Sequence, residues 1–246
     1  MTTAPLVRRH TDRGVAVLTL DSPGNRNALS AGLVAELAAA LDDAAADTGA
    51  RAVLLTHTGS SFCAGADLKA TGGRKGPELL VDLMRQIAVL PKPVVARVDG
   101  HVRAGGLGLL AACDLSVAGQ AASFAFTESR LGLAPAVASI PVLARADPRA
   151  AARWIITGER FDTEEAVRIG LVTGPVDALP GILAGLRAAS PQGLAASKEL
   201  TTAAFLRRLD EDAEEMCRLS ARLFASDDAA VGVRALLERR DPPWAL

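Results

Sequence analysis

The sequence is poor in aromatic residues and in cysteine. Phe and Trp make up 3% of the 246 residues, and tyrosine is missing altogether. The three cysteines are scattered and form no C-x-x-C pair, which argues against a disulfide framework or a zinc site and favours a reducing, cytoplasmic setting. The apolar runs are too short to span a bilayer, and the first residues lack the hydrophobic segment of a secretory signal. We therefore expect neither a membrane anchor nor a signal peptide.

The net charge of −1 provides no overall field that would attract nucleic acid or an anionic membrane surface. Hydrophobic residues make up 50% of the chain, which excludes disorder and is sufficient for one sizeable core. We expect no nucleic-acid and no membrane partner, and a small molecule as the substrate.

One stretch shows the pattern of a strand that hands over to a buried helix. The β-branched residues of 94–98 predict the strand, and the apolar run of 107–113 predicts the helix. Between them lie Ala104, Gly105 and Gly106, which let another group approach the backbone closely. The unpaired N–H groups of the first helical turn, together with the helix dipole, suit an anion or a carbonyl oxygen that becomes one.

The segment 61–68 repeats this design. A strand at 53–55 precedes the small-residue turn Cys63, Ala64, Gly65 and Ala66, and Asp67 is a candidate helix cap. Two such turns are able to direct two main-chain N–H donors at one oxygen atom. The sequence therefore predicts an oxyanion hole.

These two stretches resemble motifs of the enoyl-CoA hydratase/isomerase family, the crotonase superfamily. The resemblance rests on FCAGADL at 62–68 and VDGHVRAGGLGL at 98–109, and it extends over nearly the whole chain. It implies that the amides of Ala66 and Gly105 are the two donors. It also implies a substrate-binding role for four neighbouring residues, Ala64, Asp67, Leu68 and Gly106.

The loop at 23–29 matches the family pattern P-x-x-x-N-A-L. The resemblance implies that backbone near Ala28 lies along bound coenzyme A and that Arg26 faces its phosphates. Without the resemblance, Arg26 is interpreted as a solvated loop charge. Similarly, Lys198, Arg239 and Arg240 are either contacts to a coenzyme A phosphate across a subunit boundary or plain solvated charges.

The pattern F-x-x-T-E at 124–128 resembles the segment that carries the family's acid–base glutamate, which implies this role for Glu128. The alternative is a glutamate that favours a helix start. The best-known hydratases carry a second glutamate where this chain has Gly108, and Ala136, after Pro135, replaces a small residue that helps to seat water. Two-carboxylate hydration is therefore open, whereas a single glutamate suffices for a 1,3-proton shift.

His101 and Arg103 lie just before the second turn. The imidazole is a candidate for polarising a substrate group, and the guanidinium for meeting a carboxylate on the acyl chain. The alternative is that both side chains are held structurally or point to solvent.

Hydrophobic periodicity predicts an alternation of strands and helices that is typical of an α/β fold with parallel crossovers. The resemblance refines this prediction to a crotonase-like ββα spiral core over 1–190 and an α-helical trimerisation region over 191–246, in one functional domain. Strands are predicted at 14–20, 51–56, 115–118, 123–125 and 171–176, and helices after Ser30 and at 78–90, 148–157, 163–170 and from 179 onward.

Together, these features predict an acyl-CoA-processing enzyme that stabilises a thioester enolate. The first hypothesis is an enoyl-CoA hydratase acting on 2-enoyl-CoA. The alternatives are a Δ3-Δ2 enoyl-CoA isomerase that uses Glu128 alone, or an acyl-CoA-binding homologue without activity. We expect no metal and no cofactor other than the coenzyme A carried by the substrate, and a homotrimer or a dimer of trimers.

Overall fold

The computed structural model describes residues 4–67 and 76–246 of the chain. The described strands are β1 Val7–Asp12, β2 Val15–Leu20, β3 Ala52–His57, β4 Ser61–Cys63, β5 Val94–Val98, β6 His101–Arg103, β7 Leu115–Ala118, β8 Ser123–Ala125 and β9 Gly174–Pro175. The described α-helices are α1 Ala31–Ala46, α2 Gly76–Val89, α3 Gly105–Ala112, α4 Ala136–Arg145, α5 Pro148–Thr157, α6 Thr163–Arg168, α7 Leu179–Ala188, α8 Pro191–Phe224 and α9 Asp227–Glu238.

The strands form two sheets. The larger has the order β1-β2-β3-β5-β7-β9, in which β1 is antiparallel to β2 and the other neighbours are parallel. The smaller has the order β4-β6-β8 and is parallel throughout. Each of β3, β5 and β7 is followed by a strand of the smaller sheet and then by α2, α3 or α4. This repeated strand–strand–helix order confirms the predicted ββα spiral.

Apolar periodicity determines which face each element buries. Helix α1 begins after Ser30, whose hydroxyl accepts a hydrogen bond from the Leu33 N–H at 3.2 Å, and Leu33, Leu37 and Leu41 on one face are fully buried. Strand β5 is covered on both sides, as its run of β-branched residues indicates. The core therefore lies between the sheets and the helices that follow them.

Most predicted elements are confirmed, and one is wrong. A strand was expected at 171–176, but the structure has only the two-residue β9 there, followed by a 3-10 turn at Val176–Ala178. Pro175 has no N–H to donate to a sheet ladder, which limits this strand. The short strands β4 and β6, the first strand β1 and helix α4 were not predicted.

The C-terminal helices fold back on the core of their own chain. Helix α8 packs on α2 and α4, and Lys198 on α8 is buried. Its ammonium lies 2.8 Å from the Asp114 carboxylate and donates to the carbonyl oxygens of Ile87 and Lys92. Neither alternative for Lys198 fits this position, because the enclosed ammonium is not a solvated charge and its partners are the Asp114 carboxylate and two main-chain carbonyls. Within the described residues, no helix is both long and apolar enough to cross a membrane.

Candidate active site

The two turns of the predicted oxyanion hole both follow the carboxyl ends of strands in the smaller sheet. Strands β4 and β6 are parallel neighbours, so the turn after Cys63 and the turn after Arg103 lie side by side. A Cβ atom added to Gly65 would lie 2.7 Å from the Ala104 Cβ and 3.2 Å from the Gly105 nitrogen. The φ of Gly65 is +86°, which favours glycine. The two turns are thus in direct contact.

The amide of Ala66 is directed away from the neighbouring chain segment. Leu29 N–H donates to the Gly65 carbonyl at 2.8 Å, and Leu29 and Ala66 form a parallel bridge. The Gly65 carbonyl and the Ala66 N–H belong to one trans peptide and point in opposite directions. The Ala66 N–H therefore points away from Leu29, and the residue itself is exposed.

The amide of Gly105 is the first of helix α3, so it has no partner within the helix. Ala104, just before it, has φ 51° and ψ −129°, a conformation that a residue with a Cβ rarely adopts. Such backbone strain is found at ligand-binding turns, where the surrounding structure imposes it. Gly105 is half-buried, and the side chains of Leu80 on α2 and of Leu29 lie close to it, with methyl groups 3.3 and 3.5 Å from an added Cβ.

Glu128 begins a 3-10 turn three residues after the end of β8, the strand next to β6. It therefore lies at the carboxyl ends of the parallel strands, where both main-chain turns also lie. The side chain is buried, and its Oε2 atom has no hydrogen-bond partner among the residues that the structure describes. Burial raises the pKa of Glu128 from 4.5 to about 7, although a hydrogen bond from its own backbone opposes the shift. A carboxyl that titrates near neutrality exchanges protons easily in both directions.

Neighbouring atoms fill the space around Gly108, so a side chain has no room there. Gly108 lies one turn into α3, and a Cβ added there would be 2.9 Å from the Ala138 Cα of α4 and 3.4 Å from the Met84 sulfur. Ala136, at the start of α4, is buried, as is Pro135 before it. Helix α4 thus occupies the space that a second glutamate side chain at this position of α3 would need.

Gly106 and the loop before α1 support the two turns. A Cβ on Gly106 would lie 2.8 Å from the Cys63 Cβ, so α3 packs directly on the first turn. Asn27 is fully buried, and its amide donates to the carbonyl oxygens of Thr58 and Ser61. The Arg26 carbonyl accepts the Ala64 N–H at 3.1 Å. The sequence motif contained Asn27, but its role in fixing this loop to β4 was not recognised.

Arg103 lies along the smaller sheet. Its guanidinium donates to the Val102 and Ser123 carbonyl oxygens at 2.9 and 2.6 Å and to the Ser123 hydroxyl at 2.8 Å. The same hydroxyl lies 2.9 Å from Nδ1 of His101. The structure thus supports the alternative in which both side chains are held structurally.

A group of basic side chains surrounds Arg103. Burial lowers the pKa of Arg103 to about 10, with repulsion from Arg160 and then Arg26 as further causes. Burial, Arg103 and Arg160 also lower the pKa of His101. Arg160 lines a neighbouring cavity of about 470 Å³ together with Ser123 and Trp154. The cationic face of Arg26, Arg103 and Arg160 suits an anionic group, and the sequence did not indicate that Arg160 belongs to it.

The substrate-binding roles of Ala28, Asp67 and Leu68 stay predictions. Ala28 is buried, and Asp67 lies just after the first turn. Leu68 lies outside the described residues. Within the described part of the chain, no group of three or more His, Cys, Asp or Glu side chains is arranged to hold a metal ion.

The fold and these groups define an α/β protein with a buried carboxyl beside a pair of main-chain turns. The chain belongs to the enoyl-CoA hydratase/isomerase family, whose model matches residues 10–245. An enoyl-CoA hydratase from Mycobacterium avium has a similar structure, with a TM-score of 0.93 and 48% identity over 99% of this chain and all of that one. A carnitinyl-CoA hydratase from the same organism has a TM-score of 0.85 at 28% identity, over 99% of each chain.

A sequence relative shows the same breadth of similarity. A Bacillus subtilis (strain 168) protein named "Probable enoyl-CoA hydratase" is 33% identical over 248 residues, which cover 95% of this chain and 96% of the relative. The resemblance predicted from the two motifs is thereby confirmed over nearly the whole chain.

Proposed function

We propose that this chain catalyses the addition of water to the double bond of a 2-enoyl-CoA thioester. The amides of Ala66 and Gly105 form the oxyanion hole, and Glu128 is the acid–base group. The observation that carries the proposal is the buried carboxyl of Glu128, with its pKa of about 7, at the end of the smaller sheet from which both turns extend. The names of the similar proteins from Mycobacterium avium and Bacillus subtilis support the reaction. No cofactor is needed beyond the coenzyme A of the substrate.

The reaction proceeds through an enolate. The Glu128 carboxylate takes a proton from water as the water oxygen bonds to C3 of the enoyl group, and the electron pair of the double bond moves to the thioester oxygen. The two amides hold this developing negative charge more strongly than the neutral carbonyl, so they lower the barrier. The protonated Glu128 then gives its proton to C2 and the thioester carbonyl re-forms. One carboxyl group thus performs both transfers.

Isomerisation of a 3-enoyl-CoA to a 2-enoyl-CoA is a second candidate. It is favoured by the filled space at Gly108, which leaves no room for a second carboxylate on α3 to hold water. Glu128 would remove a proton from C2 and return it at C4, with the same enolate held by the same amides. Both reactions require the carboxylate form of Glu128 at the start.

The test compares Glu128→Gln with wild-type protein on 2-enoyl-CoA and 3-enoyl-CoA substrates. Glutamine retains the shape of the side chain but accepts no proton, so we expect kcat to fall by about 10²–10⁴-fold. Glu214→Gln is the matched control, since Glu214 is exposed on α8. Equal activity of Glu128→Gln and wild type contradicts the proposal. Binding of acyl-CoA without turnover by wild type identifies an inactive homologue.

The cationic face of Arg26, Arg103 and Arg160 is proposed to receive the phosphate groups of coenzyme A. Arg160 and Arg26 are close enough to Arg103 to lower the pKa of its guanidinium, and phosphate oxygens would relieve that repulsion. Backbone near Ala28 then lies along the pantetheine arm, as the family motif implies. The roles of Ala64, Asp67, Leu68 and Gly106 as substrate contacts belong to the same proposal.

We further propose a homotrimer or a dimer of trimers. Several large apolar side chains are exposed on the helices of one chain, among them Ile156, Leu200, Phe224 and Leu237. Sedimentation should give three or six times the chain mass of 25.4 kDa. A cytoplasmic location is supported by the three cysteines, which are all free and buried.

A further inference from the structure

A second polar cavity lies at the opposite end of helix α3 from the candidate active site. It has a volume of about 180 Å³ and is lined by Cys113, Asp114, Ser116, Arg145 and Thr173, among others. Helix α3 begins at Gly105 and ends beside this cavity, which separates the two sites by about 12 Å at 1.5 Å per residue. The cavity is thus distinct from the proposed acyl-CoA site.

Two of the charged side chains that line the cavity have buried polar atoms without a partner. Within the described part of the chain, neither Nε and Nη2 of Arg145 nor Oδ1 of Asp114 has a hydrogen-bond partner. The other Asp114 oxygen is already used, since Oδ2 accepts from the Val94 N–H at 2.7 Å and from the Lys198 ammonium at 2.8 Å. Buried polar groups of this kind nearly always have a partner, so both side chains have the capacity to bind a further group.

The charges around the cavity do not cancel. Asp114 is negative, whereas Lys198 and Arg145 are positive, which leaves one positive charge in a largely buried cluster. Arg145 is the last residue of α4, where a cation suits the helix dipole, but that explanation leaves its two unpartnered N–H groups unused. A single negative charge in the cavity would balance the cluster.

We propose that this cavity binds a small oxyanion that retains one hydroxyl group, of which hydrogencarbonate is the best match. Two of its oxygens accept from Nε and Nη2 of Arg145 in the paired geometry that a guanidinium favours. Its hydroxyl donates to Oδ1 of Asp114. The volume corresponds to about six water molecules at ~30 Å³ each, which is ample for an ion of four or five non-hydrogen atoms.

The hydroxyl requirement makes the site selective. Nitrate has the planar shape and the charge of hydrogencarbonate but no O–H, so one of its oxygens would face the Asp114 carboxylate. Hydrogenphosphate carries the hydroxyl but adds a second negative charge, so it should bind more weakly than hydrogencarbonate. These three ions therefore distinguish the hydroxyl requirement from simple attraction of anions.

The test measures the thermal unfolding midpoint of the full chain at pH 8 against hydrogencarbonate, phosphate and nitrate at equal ionic strength. Hydrogencarbonate should raise the midpoint of wild type saturably, by several degrees at about 100 times its Kd, and nitrate should not. Arg145→Gln should lose this shift. Arg103→Gln should retain it, which excludes binding at the cationic face near the candidate active site.

If Arg145→Gln fails to fold, calorimetric titration of the wild type with hydrogencarbonate and with nitrate tests the proposed site, because it compares ions rather than variants. A saturable heat of binding with hydrogencarbonate, and none with nitrate, supports the site. The proposal is overturned if neither hydrogencarbonate nor phosphate binds saturably, or if nitrate raises the unfolding midpoint as much as hydrogencarbonate does. It is also overturned if folded Arg145→Gln retains the shift in the midpoint. The cavity then holds water. None of these outcomes depends on the proposed enoyl-CoA activity.

Discussion

A Cβ atom on Gly232 would lie 2.5 Å from the carbonyl oxygen of Leu131, so helix α9 packs directly on the turn that Glu128 begins. Gly132, with φ 71°, makes the reciprocal contact, since its own Cβ would lie 2.8 Å from that of Asp228. The C-terminal helix of the chain therefore holds the turn of the candidate acid–base residue. We infer that this contact sets the position of the Glu128 carboxyl.

Gly232→Ala should displace the Glu128 turn, because its methyl group meets backbone that no side-chain rotation can move aside. We expect kcat to fall by about tenfold or more, since an error of 1 Å in placement can cost about 10²-fold. The pH profile of the rate should shift as well, as the burial of Glu128 changes. Steady-state kinetics across pH, with thermal unfolding, measures both effects.

The matched control is Gly185→Ala on α7, where an added Cβ meets nothing within 4 Å. Alanine there should leave activity unchanged and stabilise the helix slightly. Wild-type kcat and pH profile in Gly232→Ala would show that α9 does not position Glu128.

The stability of the fold should depend on the charge of Glu128. Because burial raises its pKa from 4.5 to about 7, the folded state binds this proton more tightly than the unfolded state. The stabilisation that the protonated Glu128 gives the folded state, relative to the ionised form, is fully present below pH 4.5 and is lost as the pH rises through 7. At pH 8 the buried carboxylate thus costs about 3 kcal/mol of unfolding free energy.

Glu128→Gln should therefore be more stable than wild type at pH 8, by an amount that shrinks towards pH 5, while its activity is lost. Urea unfolding at both pH values measures the difference, and Glu214→Gln provides the exposed control. In wild type, kcat/KM should rise through pH 7 as the base form appears. Equal stability of the two proteins at pH 8 would mean that the carboxyl is not held in an apolar site.

Helix α4 should prevent any side chain at position 108. Gly108→Ala brings a methyl group to 2.9 Å from the Ala138 Cα, so the two helices must separate, and we expect a loss of about 1–3 kcal/mol in stability. Ala138→Gly removes only one of the close contacts, so the double variant should recover part of the loss. Urea unfolding of the four proteins gives the coupling energy. Additive losses would show that positions 108 and 138 do not meet.

The cationic face should act only through the phosphate part of the substrate. Arg26→Gln and Arg160→Gln should raise KM for an enoyl-CoA thioester about tenfold and leave kcat unchanged. On the same acyl group joined to N-acetylcysteamine, which lacks the phosphates, the variants and wild type should be equal. An equal rise in KM on both substrates would mean that these arginines do not act through the phosphate groups of coenzyme A. Arg222→Gln on α8 serves as the exposed control.

The sequence predicted the parts of the site that main-chain conformation determines. Glycine and alanine at 64–66 and 104–106 indicated close-approach turns, and the structure brings those turns into contact. The motif containing Glu128 indicated a carboxyl at the same edge, and burial explains its raised pKa. Local pattern suffices here because each turn is formed by consecutive residues.

The sequence could not predict relationships between distant segments. The filled space at Gly108 depends on Ala138, thirty residues away, and the enclosure of Lys198 depends on Asp114. Strands β4 and β6 have three residues each, too few for a period-two pattern to be visible. Arg160 joins Arg103 only because β8 lies between their segments in the fold.

The central claim is that the amides of Ala66 and Gly105, together with Glu128, form and hold a thioester enolate. The most direct measurement is NMR of the exchange of the C2 protons of a saturated acyl-CoA with deuterium oxide, which requires the enolate but neither hydration nor isomerisation. We predict enzyme-dependent exchange with wild type, strongly reduced exchange with Glu128→Gln and wild-type exchange with Glu214→Gln. Exchange by Glu128→Gln at the wild-type rate would contradict the account.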